Sequence, residues 1–234
     1  MNKSSLVYAG HSAVFVTIGA TSVAIDPWLV GNPRCPVELH DPNKLDLIVL
    51  THGHSDHAGD AVRLARSTGA KVAATYELAM ILIGEGVDAS QVLPMNKGGS
   101  IPFQNLRVHL VNAFHSSSYD TKNGTVYAGE ACGVVVSGAD KCVYHAGDTE
   151  LFSDMALIGA RFRPTVCCLP IGDRFTMGPD DAAEAARLIG ARISIPIHHK
   201  TFDLLTGTYE EFSRACSTRG VTCRELEPGQ SFDF

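Results

Sequence analysis

The strongest constraint on this chain is a cluster of three histidines and an aspartate that directly follows an apolar run. Residues Leu45–Leu50 are almost wholly apolar, as in a strand that is buried on both faces of a sheet. The next segment, Thr51–Asp60, contains the pattern H-x-H-x-D-H. Neutral imidazoles and carboxylates suit zinc and other first-row divalent ions. The sequence therefore predicts a metal site at the end of a buried strand, rather than a polar loop that is rich in histidine by chance.

Three later residues with metal-binding side chains also stand at the ends of strand-like runs. They are His115, Asp148 and His198. Strand ends gathered on one edge of a sheet are where ligands converge. Taken singly, each residue also fits an ordinary structural role, as an edge histidine, a turn aspartate or a surface histidine. Taken with the H-x-H-x-D-H segment, they favour one composite site.

The hydrophobic pattern predicts an α/β chain with many short strands. The predicted strands are Leu6–Ala9, Ala13–Thr17, Val23–Ile25, Leu45–Leu50, Lys71–Thr75, Leu106–Phe114, Thr125–Ala128, Gly133–Ser137, Lys141–His145, Thr165–Ile171 and Arg192–Ile197. The predicted helices are Asp60–Ser67, Glu77–Ile83, Leu151–Ile158, one that starts at Gly178–Asp181, and Tyr209–Ser217. Meander-like strands mixed with strand–helix alternation predict two sheets with helices outside. No linker divides the chain, so residues 1–234 are interpreted as a single domain.

Composition narrows the classes of function. Hydrophobic residues make up 45% and charged residues 19%, which excludes disordered and fibrous chains. The net charge of −6, without a basic stripe, argues against a general nucleic-acid binder. No apolar stretch approaches the roughly 18 residues of a membrane span, and no secretory signal is visible. The seven cysteines are odd in number and mostly lie in apolar runs, so we expect reduced thiols in a cytoplasmic protein.

The order H-x-H-x-D-H, then His, Asp and His, resembles the ligand series of the metallo-β-lactamase superfamily. The resemblance runs nearly end to end with one branch of small cytosolic metal-dependent hydrolases. That branch is similar to L-ascorbate-6-phosphate lactonase and more distantly to N-acylphosphatidylethanolamine phospholipase D. The supporting segments are Gly10–Ser12, Ile25–Trp28, Thr51–Asp60, Phe114–Ser118, His145–Thr149, Pro170–Pro179 and Pro196–His198.

The resemblance implies a four-layer αββα sandwich with a two-metal cleft at one edge. It assigns seven metal ligands in three groups: His52, His54 and His115 on the first ion, Asp56, His57 and His198 on the second, and Asp148 bridging both. The branch usually has an aromatic residue after the last ligand, whereas this chain has His199. Motif position favours His198. Alternation along a strand would point the two side chains in opposite directions, so only one of them is expected to bind.

The activity implied by the resemblance is hydrolysis of a small ester, lactone or phosphoester. Two divalent ions roughly 3.5–4 Å apart would share a hydroxide that attacks the substrate. Asp56 and Asp148 are the expected catalytic carboxylates, the first orienting the hydroxide and the second neutralising the paired charge. Zinc is the first ion to expect, and manganese, iron or nickel would tolerate the same ligands.

Other activities of the same fold are the alternatives. The first is a metal-dependent phosphodiesterase or nuclease, against which the acidic net charge and compact length argue. Di-iron members that reduce oxygen or nitric oxide typically place a glutamate where His54 stands. A thioesterase of the glyoxalase II type usually carries an additional C-terminal domain. A binding protein without catalysis would have lost ligands, whereas the full set is present here.

Four further residues are candidate substrate contacts. His11 lies in the loop after the first strand and fits a substrate contact or proton donor as well as a structural histidine at a β-turn. Asp173, Arg174 and Thr176 lie in a loop before a helix, where Arg174 could bind an anionic substrate through its planar fork and fits an ordinary solvated arginine equally well. His145 fits either a group that orients a ligand or a packed strand histidine. The expected partner is a small molecule rather than nucleic acid or a membrane, and a homo-oligomer would also fit.

Overall fold

The computed structural model describes residues 4–234 of the chain. The elements of the first half are β1 (Ser5–Gly10), β2 (Ala13–Ile18), β3 (Thr21–Ile25), β4 (Leu47–Val49), α1 (Ser55–Ala58), α2 (Ala61–Thr68), β5 (Lys71–Thr75), α3 (Tyr76–Gly84) and β6 (Val92–Met95). The elements of the second half are β7 (Ser100–Phe103), β8 (Leu106–Asn112), β9 (Ser118–Thr121), β10 (Gly124–Tyr127), β11 (Cys132–Gly138), β12 (Lys141–His145), α4 (Met155–Phe162), β13 (Val166–Pro170), α5 (Pro179–Ile189), β14 (Ile193–Ile197), α6 (Tyr209–Thr218) and β15 (Ser231–Asp233).

The strands form two large sheets and one separate hairpin. The first sheet has the order β15-β1-β2-β3-β4-β5-β6, and the second has the order β14-β13-β12-β11-β8-β7. Strands β3 to β6 run parallel, as do β12 to β14, while the remaining neighbours are antiparallel. Strands β9 and β10 pair only with each other. The carboxyl ends of the parallel strands therefore share one edge within each sheet.

Three apolar clusters define four layers. In β4, Leu47 and Val49 face the cluster between the two sheets, and Ile48 faces the cluster that α2 and α3 cover. A third cluster joins the outer face of the second sheet to α4, α5 and α6, with Tyr144 at 0% exposure among its members. Because successive side chains of a strand point to opposite faces, strands covered on both sides are apolar throughout. The predicted αββα sandwich is confirmed.

Local sequence explains where the helices of the second half begin and end. Helix α5 starts with Pro179 directly after its N-cap Gly178, and two aspartates occupy the positive end of the helix dipole. It ends at Gly190, whose φ of 64° lies in the left-handed region. Helix α6 starts with a capping box, in which Thr208 and Glu211 accept hydrogen bonds from each other's backbone N–H groups.

The structure differs from the sequence prediction in several places. Helix α4 begins at Met155 rather than at Leu151, because a turn comes first in which the N–H of Met155 donates to the carbonyl of Phe152. Strand β8 ends at Asn112, before the predicted end at Phe114. The elements that the pattern did not predict are α1, β6, β7, β9 and β15. Within residues 4–234, no helix has the length and apolarity that crossing a membrane requires.

The contact between α4 and α5 depends on a glycine and gives a stability prediction. A Cβ at Gly159 would overlap the carbonyl oxygen of Ile189 at the end of α5. We expect Gly159→Ala to lower the free energy of unfolding by about 1–3 kcal/mol, the cost of overpacking, in urea denaturation. Gly84→Ala at the end of α3 is the control, because a Cβ there would meet nothing within 4 Å apart from its chain neighbours and the backbone of its own helix. Equal stability of the two variants would contradict the prediction.

Candidate metal centre

Each predicted metal ligand lies just beyond the carboxyl end of a strand. Residues 51–57 follow β4, His115 follows β8, Asp148 follows β12 and His198 follows β14. The loops of the two sheets meet where the backbone N–H of His198 donates to the carbonyl of His11 over 2.7 Å. The fold therefore brings residues that are far apart in sequence to one edge of the sandwich, as strand ends in α/β proteins generally do.

The first group contains His52, His54 and His115. Nε2 of His52 lies 2.9 Å from Nδ1 of His54. The ring centroid of His115 lies 5.2 Å from that of His52 and 5.3 Å from that of His54. One ring nitrogen of each lies within 4.8 Å of the others. Burial lowers the pKa of all three histidines, so their rings are neutral and carry a free lone pair for a cation.

The second group contains Asp56, His57 and His198, and His11 joins it. One ligand atom from each of the four lies within 4.8 Å of the others. Nε2 of His11 lies 3.1 Å from Oδ2 of Asp56. Burial raises the pKa of Asp56, but the hydrogen bond to His11 and the charge of His57 outweigh it and hold the pKa well below its usual range. Asp56 is therefore an ionised ligand candidate.

Asp148 lies between the two groups. Its Oδ2 is 3.1 Å from Nε2 of His198 and 3.6 Å from Nε2 of His115. Its Oδ1 is 3.3 Å from Nε2 of His57. The side chain is 3% exposed, and although burial raises its pKa, His198 and His57 outweigh that effect and keep the pKa well below its usual range. One buried carboxylate thus faces histidines of both groups.

The chemistry of these donors fits divalent ions. Within residues 4–234, Nε2 of His57 and Oδ1 of Asp148 are buried without a hydrogen-bond partner of suitable geometry. Buried polar atoms without partners are costly, and a cation removes that cost. The two groups offer nitrogen and carboxylate oxygen atoms, which zinc and similar ions accept. The residues present therefore fit two adjacent divalent ions with Asp148 between them.

A second carboxylate, which the sequence analysis did not single out, holds the ligands in place. Oδ2 of Asp26 accepts from Nδ1 of His57 over 2.8 Å and from the hydroxyl of Thr51 over 2.6 Å. Because that hydroxyl donates to Asp26, it accepts from Nδ1 of His52 over 2.9 Å. Nδ1 of both histidines is thereby held as a donor, so that Nε2 is the nitrogen that would bind a cation, as in carboxylate–histidine–metal triads.

Three residues of the site occupy the left-handed region of backbone conformation. His11, Asp26 and His198 have φ values of 55°, 50° and 55°. Histidine and aspartate are among the non-glycine residues that tolerate this region, but each occurrence still costs energy. Such residues cluster at functional sites, where the surrounding contacts hold them in place. No hydrophobic periodicity in the sequence carries this information.

The structure distinguishes the positions of His198, His199 and His145, whose roles the sequence left open. His198 points into the second group, whereas His199 is absent from every His, Asp and Glu group that the described residues form. The left-handed backbone at His198 redirects the chain there. His145 is fully buried, donates from Nε2 to the carbonyl of Ser12 over 2.8 Å, and accepts at Nδ1 from the N–H of Gly147. It braces the loop that carries Asp148.

A pocket of about 250 Å³ opens over the two groups. Its wall contains residues of both metal groups together with two aromatic rings, namely His54, Asp56, His115, Ser116, Asp148, Phe175, His198 and Phe202. The pocket places Asp56 and Asp148 next to the space that a substrate would enter. Phe175 and Phe202 were not among the predicted site residues, because an isolated phenylalanine in a loop has no distinctive sequence pattern.

The four predicted substrate contacts are not among the residues that line this pocket. His11 is 0% exposed and contacts Asp56 and the hydroxyl of Thr201, the latter over 2.9 Å. Asp173, Arg174 and Thr176 do not line the pocket over the metal groups. The guanidinium of Arg174 instead lies 5.5 Å from the centroid of the Phe175 ring. Substrate contact by these four residues stays a prediction. In the structure, His11 is a hydrogen-bond partner of Asp56.

Comparisons with known proteins agree with this geometry. The family described as a beta-lactamase superfamily domain matches residues 21–199. A relative named UPF0173 metal-dependent hydrolase from Rubrobacter xylanophilus is 44% identical over 237 residues, covering 98% of this chain and 96% of its own length. A protein of the same name from Methanopyrus kandleri is 44% identical over 233 residues, covering 97% of this chain and 99% of its own length.

Solved structures show the same fold. Igni18, described as a novel metallo hydrolase from Ignicoccus hospitalis, is 36% identical with a TM-score of 0.88 and covers 99% of this chain and 98% of its own. An isothiocyanate hydrolase from Delia radicum gut bacteria is 18% identical with a TM-score of 0.76, and the match covers 98% of both chains. At that identity, the second likeness concerns the fold alone.

Asp26 gives a prediction about metal affinity. We expect Asp26→Asn to weaken binding of zinc by about 10–100-fold, because an amide replaces the anionic acceptor that orients His57 and Thr51. Competition with a chromophoric chelator measures the affinity. Asp46→Asn is the matched control. Asp46 lies just before β4, and its carboxylate accepts from the N–H of Ser22 rather than from a residue of the ligand groups. Unchanged affinity in the Asp26 variant would rule out this orienting role.

His57 gives a prediction about pH. Burial lowers its pKa, but the carboxylates of Asp148 and Asp26 outweigh this and raise the pKa well above its ordinary value of 6.5. In the metal-free protein the ring is therefore protonated at neutral pH, and a cation must displace that proton. We expect release of about one proton from His57 on zinc binding and an affinity that rises with pH. Calorimetry in two buffers, PIPES and HEPES, measures the release, because the released protons bind the buffer and each buffer adds its own heat of protonation. Equal heats of zinc binding in the two buffers, after correction for dilution, would contradict the prediction.

Proposed function

Because the chain belongs to the β-lactamase superfamily and, within it, to the UPF0173 metal-dependent hydrolases, we propose that it hydrolyses a small ester, lactone or phosphoester at a pair of divalent ions. The observation that carries this proposal is the position of Asp148, whose two oxygens face histidines of both ligand groups. Zinc is the first ion to test at this site, since imidazole and carboxylate donors suit it.

The ligands divide between the two ions. His52, His54 and His115 would hold the first ion, Asp56, His57 and His198 would hold the second, and Asp148 would bind both. When bound, such a pair lowers the pKa of a shared water towards neutrality and polarises an oxygen of the substrate.

The protein's own groups prepare this chemistry. The side chain of Asp56 is 29% exposed and lines the pocket, so an ionised carboxylate is available to accept a hydrogen bond from the attacking water. Burial, together with the nearby His198, lowers the pKa of His11 to about 4, so His11 stays neutral. A neutral His11 that donates through Nε2 keeps Asp56 ionised and fixes its direction. Asp148 offsets positive charge between the groups.

A nuclease of the same fold is the competing function, and the pocket disfavours it. The space over the ligands measures about 250 Å³, and no lysine or arginine of the described chain lines it. Recognition of a nucleic-acid backbone needs cationic side chains along a groove. The net charge of −6 points the same way. A small-molecule substrate fits the pocket better.

Two further parts of the proposal follow from composition and architecture. The seven cysteines are all unpaired in the structure, which fits a reducing compartment and hence the cytoplasm. We treat residues 1–234 as one catalytic domain, since the ligands come from both sheets.

Removal of Asp148 tests the dinuclear centre. We expect Asp148→Ala and His54→Ala to lose bound zinc and to lower turnover by more than about a hundredfold, the upper end of what the loss of a mere outer-shell partner costs. Metal analysis of the purified proteins gives the stoichiometry, and a panel of lactones, phosphodiesters and thioesters gives the activity.

His109→Ala is the matched control for this test. His109 lies on β8 with its ring 4.8 Å from that of Phe162, away from the ligand groups. It should retain both metal and turnover. Two ions still bound to the Asp148 variant would refute the bridging role, and activity confined to RNA in the unmodified protein would reverse the choice of substrate.

A further inference from the structure

Two phenylalanine rings form an apolar wall of the pocket beside the metal ligands. Phe175 lies in the loop after β13, and Phe202 lies in the loop after β14. They are 50% and 42% exposed. We call these two rings the aromatic wall. Large apolar side chains that stay exposed together in a pocket mark a binding surface rather than a folding requirement.

Other side chains hold both rings in place. The ring of Phe202 stacks on that of Trp28, with centroids 5.9 Å apart and planes inclined by 27°, and its centroid lies 5.5 Å from that of His11. Phe175 packs against the guanidinium of Arg174. The N–H of Gly207 donates to the carbonyl of Gly172 over 3.3 Å and so ties the two loops together. The wall is therefore preorganised, which reduces the entropy cost of binding.

The wall stands where a substrate group next to the reacting bond would lie. The same pocket is lined by Asp56 and His198 of the second ligand group and by His54 and His115 of the first. Within the part of the chain that the structure describes, its lining contains no cationic side chain. The substituent bound there is consequently recognised by apolar area and by π-faces rather than by charge.

We propose that the substrate carries an aryl ring next to the bond that is cleaved, and that this ring packs against Phe175 and Phe202. The proposal rests on the proposed hydrolase function and adds the class of substrate. A pocket of about 250 Å³ accommodates one ring rather than a long chain. Aromatic rings gain binding energy against each other beyond the area that they bury, and a saturated ring of similar size lacks that gain.

Binding to the zinc-loaded protein tests the wall without any turnover. Trp28 is the only tryptophan and stacks on Phe202, so its fluorescence reports occupation of the pocket. We expect benzyl alcohol to bind about tenfold more tightly than cyclohexylmethanol, which is equally apolar but not flat. Phe202→Leu and Phe175→Leu should each reduce this preference to below about threefold. Equal affinities in the unmodified protein, or a preference that survives both substitutions, would overturn the proposal.

Turnover separates this proposal from the proposed function. Methyl phenylacetate and methyl cyclohexylacetate share a leaving group, so the ratio of their kcat/KM values reports only the ring. We expect that ratio to follow the binding preference. Hydrolysis of both esters at the same rate would support the hydrolase function and contradict the role of the aromatic wall. Aryl binding without turnover of any ester, lactone or phosphoester would support the role of the aromatic wall and contradict the hydrolase function.

Tyr76→Leu is the matched control variant. Tyr76 is 56% exposed on α3 and does not line the pocket. It should retain the preference for the flat ring. Thermal unfolding of all three leucine variants shows whether the fold is kept, and the half-exposed positions of both wall residues predict that it is.

Discussion

The buried carboxylate of Asp148 is the constraint on which the arrangement of the centre depends. A carboxylate at 3% exposure is stable only among groups that offset its charge or bind it, and the oxygens of Asp148 lie within 3.6 Å of ring nitrogens of both ligand groups, with the protonated His57 as the cationic neighbour. His198 comes from β14 and His57 from the segment after β4, so the same carboxylate links the two sheets. The requirement to satisfy one charge thereby sets the separation of two ligand groups.

Asp26 is a second buried carboxylate, which lies behind the predicted ligands and binds His57 from the other side. It is fully buried, accepts from His57, from the hydroxyl of Thr51 and from the backbone N–H of Thr51, and so has partners on both oxygens. The charge on His57 is consequently shared between two carboxylates that lie at its two ring nitrogens. A neutral side chain at either position would leave the imidazole with a different tautomer or without an oriented lone pair.

The sequence pointed to residues that the structure does bring together, because these residues follow a strong regularity. A strand covered on both faces is apolar throughout, so the first polar residues after it stand out, as His52 does after Leu50. Strands β6, β7 and β15 were missed for the converse reason. They are short strands at or near the sheet edges, two of them contain a proline, and they lack both the long apolar run and the clean alternation.

Other parts of the site depend on tertiary structure that no local pattern encodes. Asp26 reads as an ordinary residue between a strand and a proline, and only the approach of β4 to β3 turns it into the partner of His57. The charge of Arg174 made it a candidate anion contact, and contact with a substrate stays a prediction for it, whereas the adjacent Phe175 lines the pocket without any signal in the sequence. The two residues before Phe175, Asp173 and Arg174, both have left-handed backbone, with φ values of 63° and 56°, which no local pattern predicts.

One proposed metal ligand and one ring of the aromatic wall come from the same short loop, and this limits how the site can vary. The loop after β14 carries His198, then Thr201, whose hydroxyl lies 2.9 Å from His11, then Phe202. A change in its backbone would move the ligand and the wall together, because left-handed residues at His198 and Lys200 fix its course. Phe202 is 42% exposed and belongs to neither ligand group, so its side chain can change without removing a ligand. A fold of this kind can therefore keep one metal centre and alter its substrate by substitution in the loops, which is how one scaffold supports many chemistries.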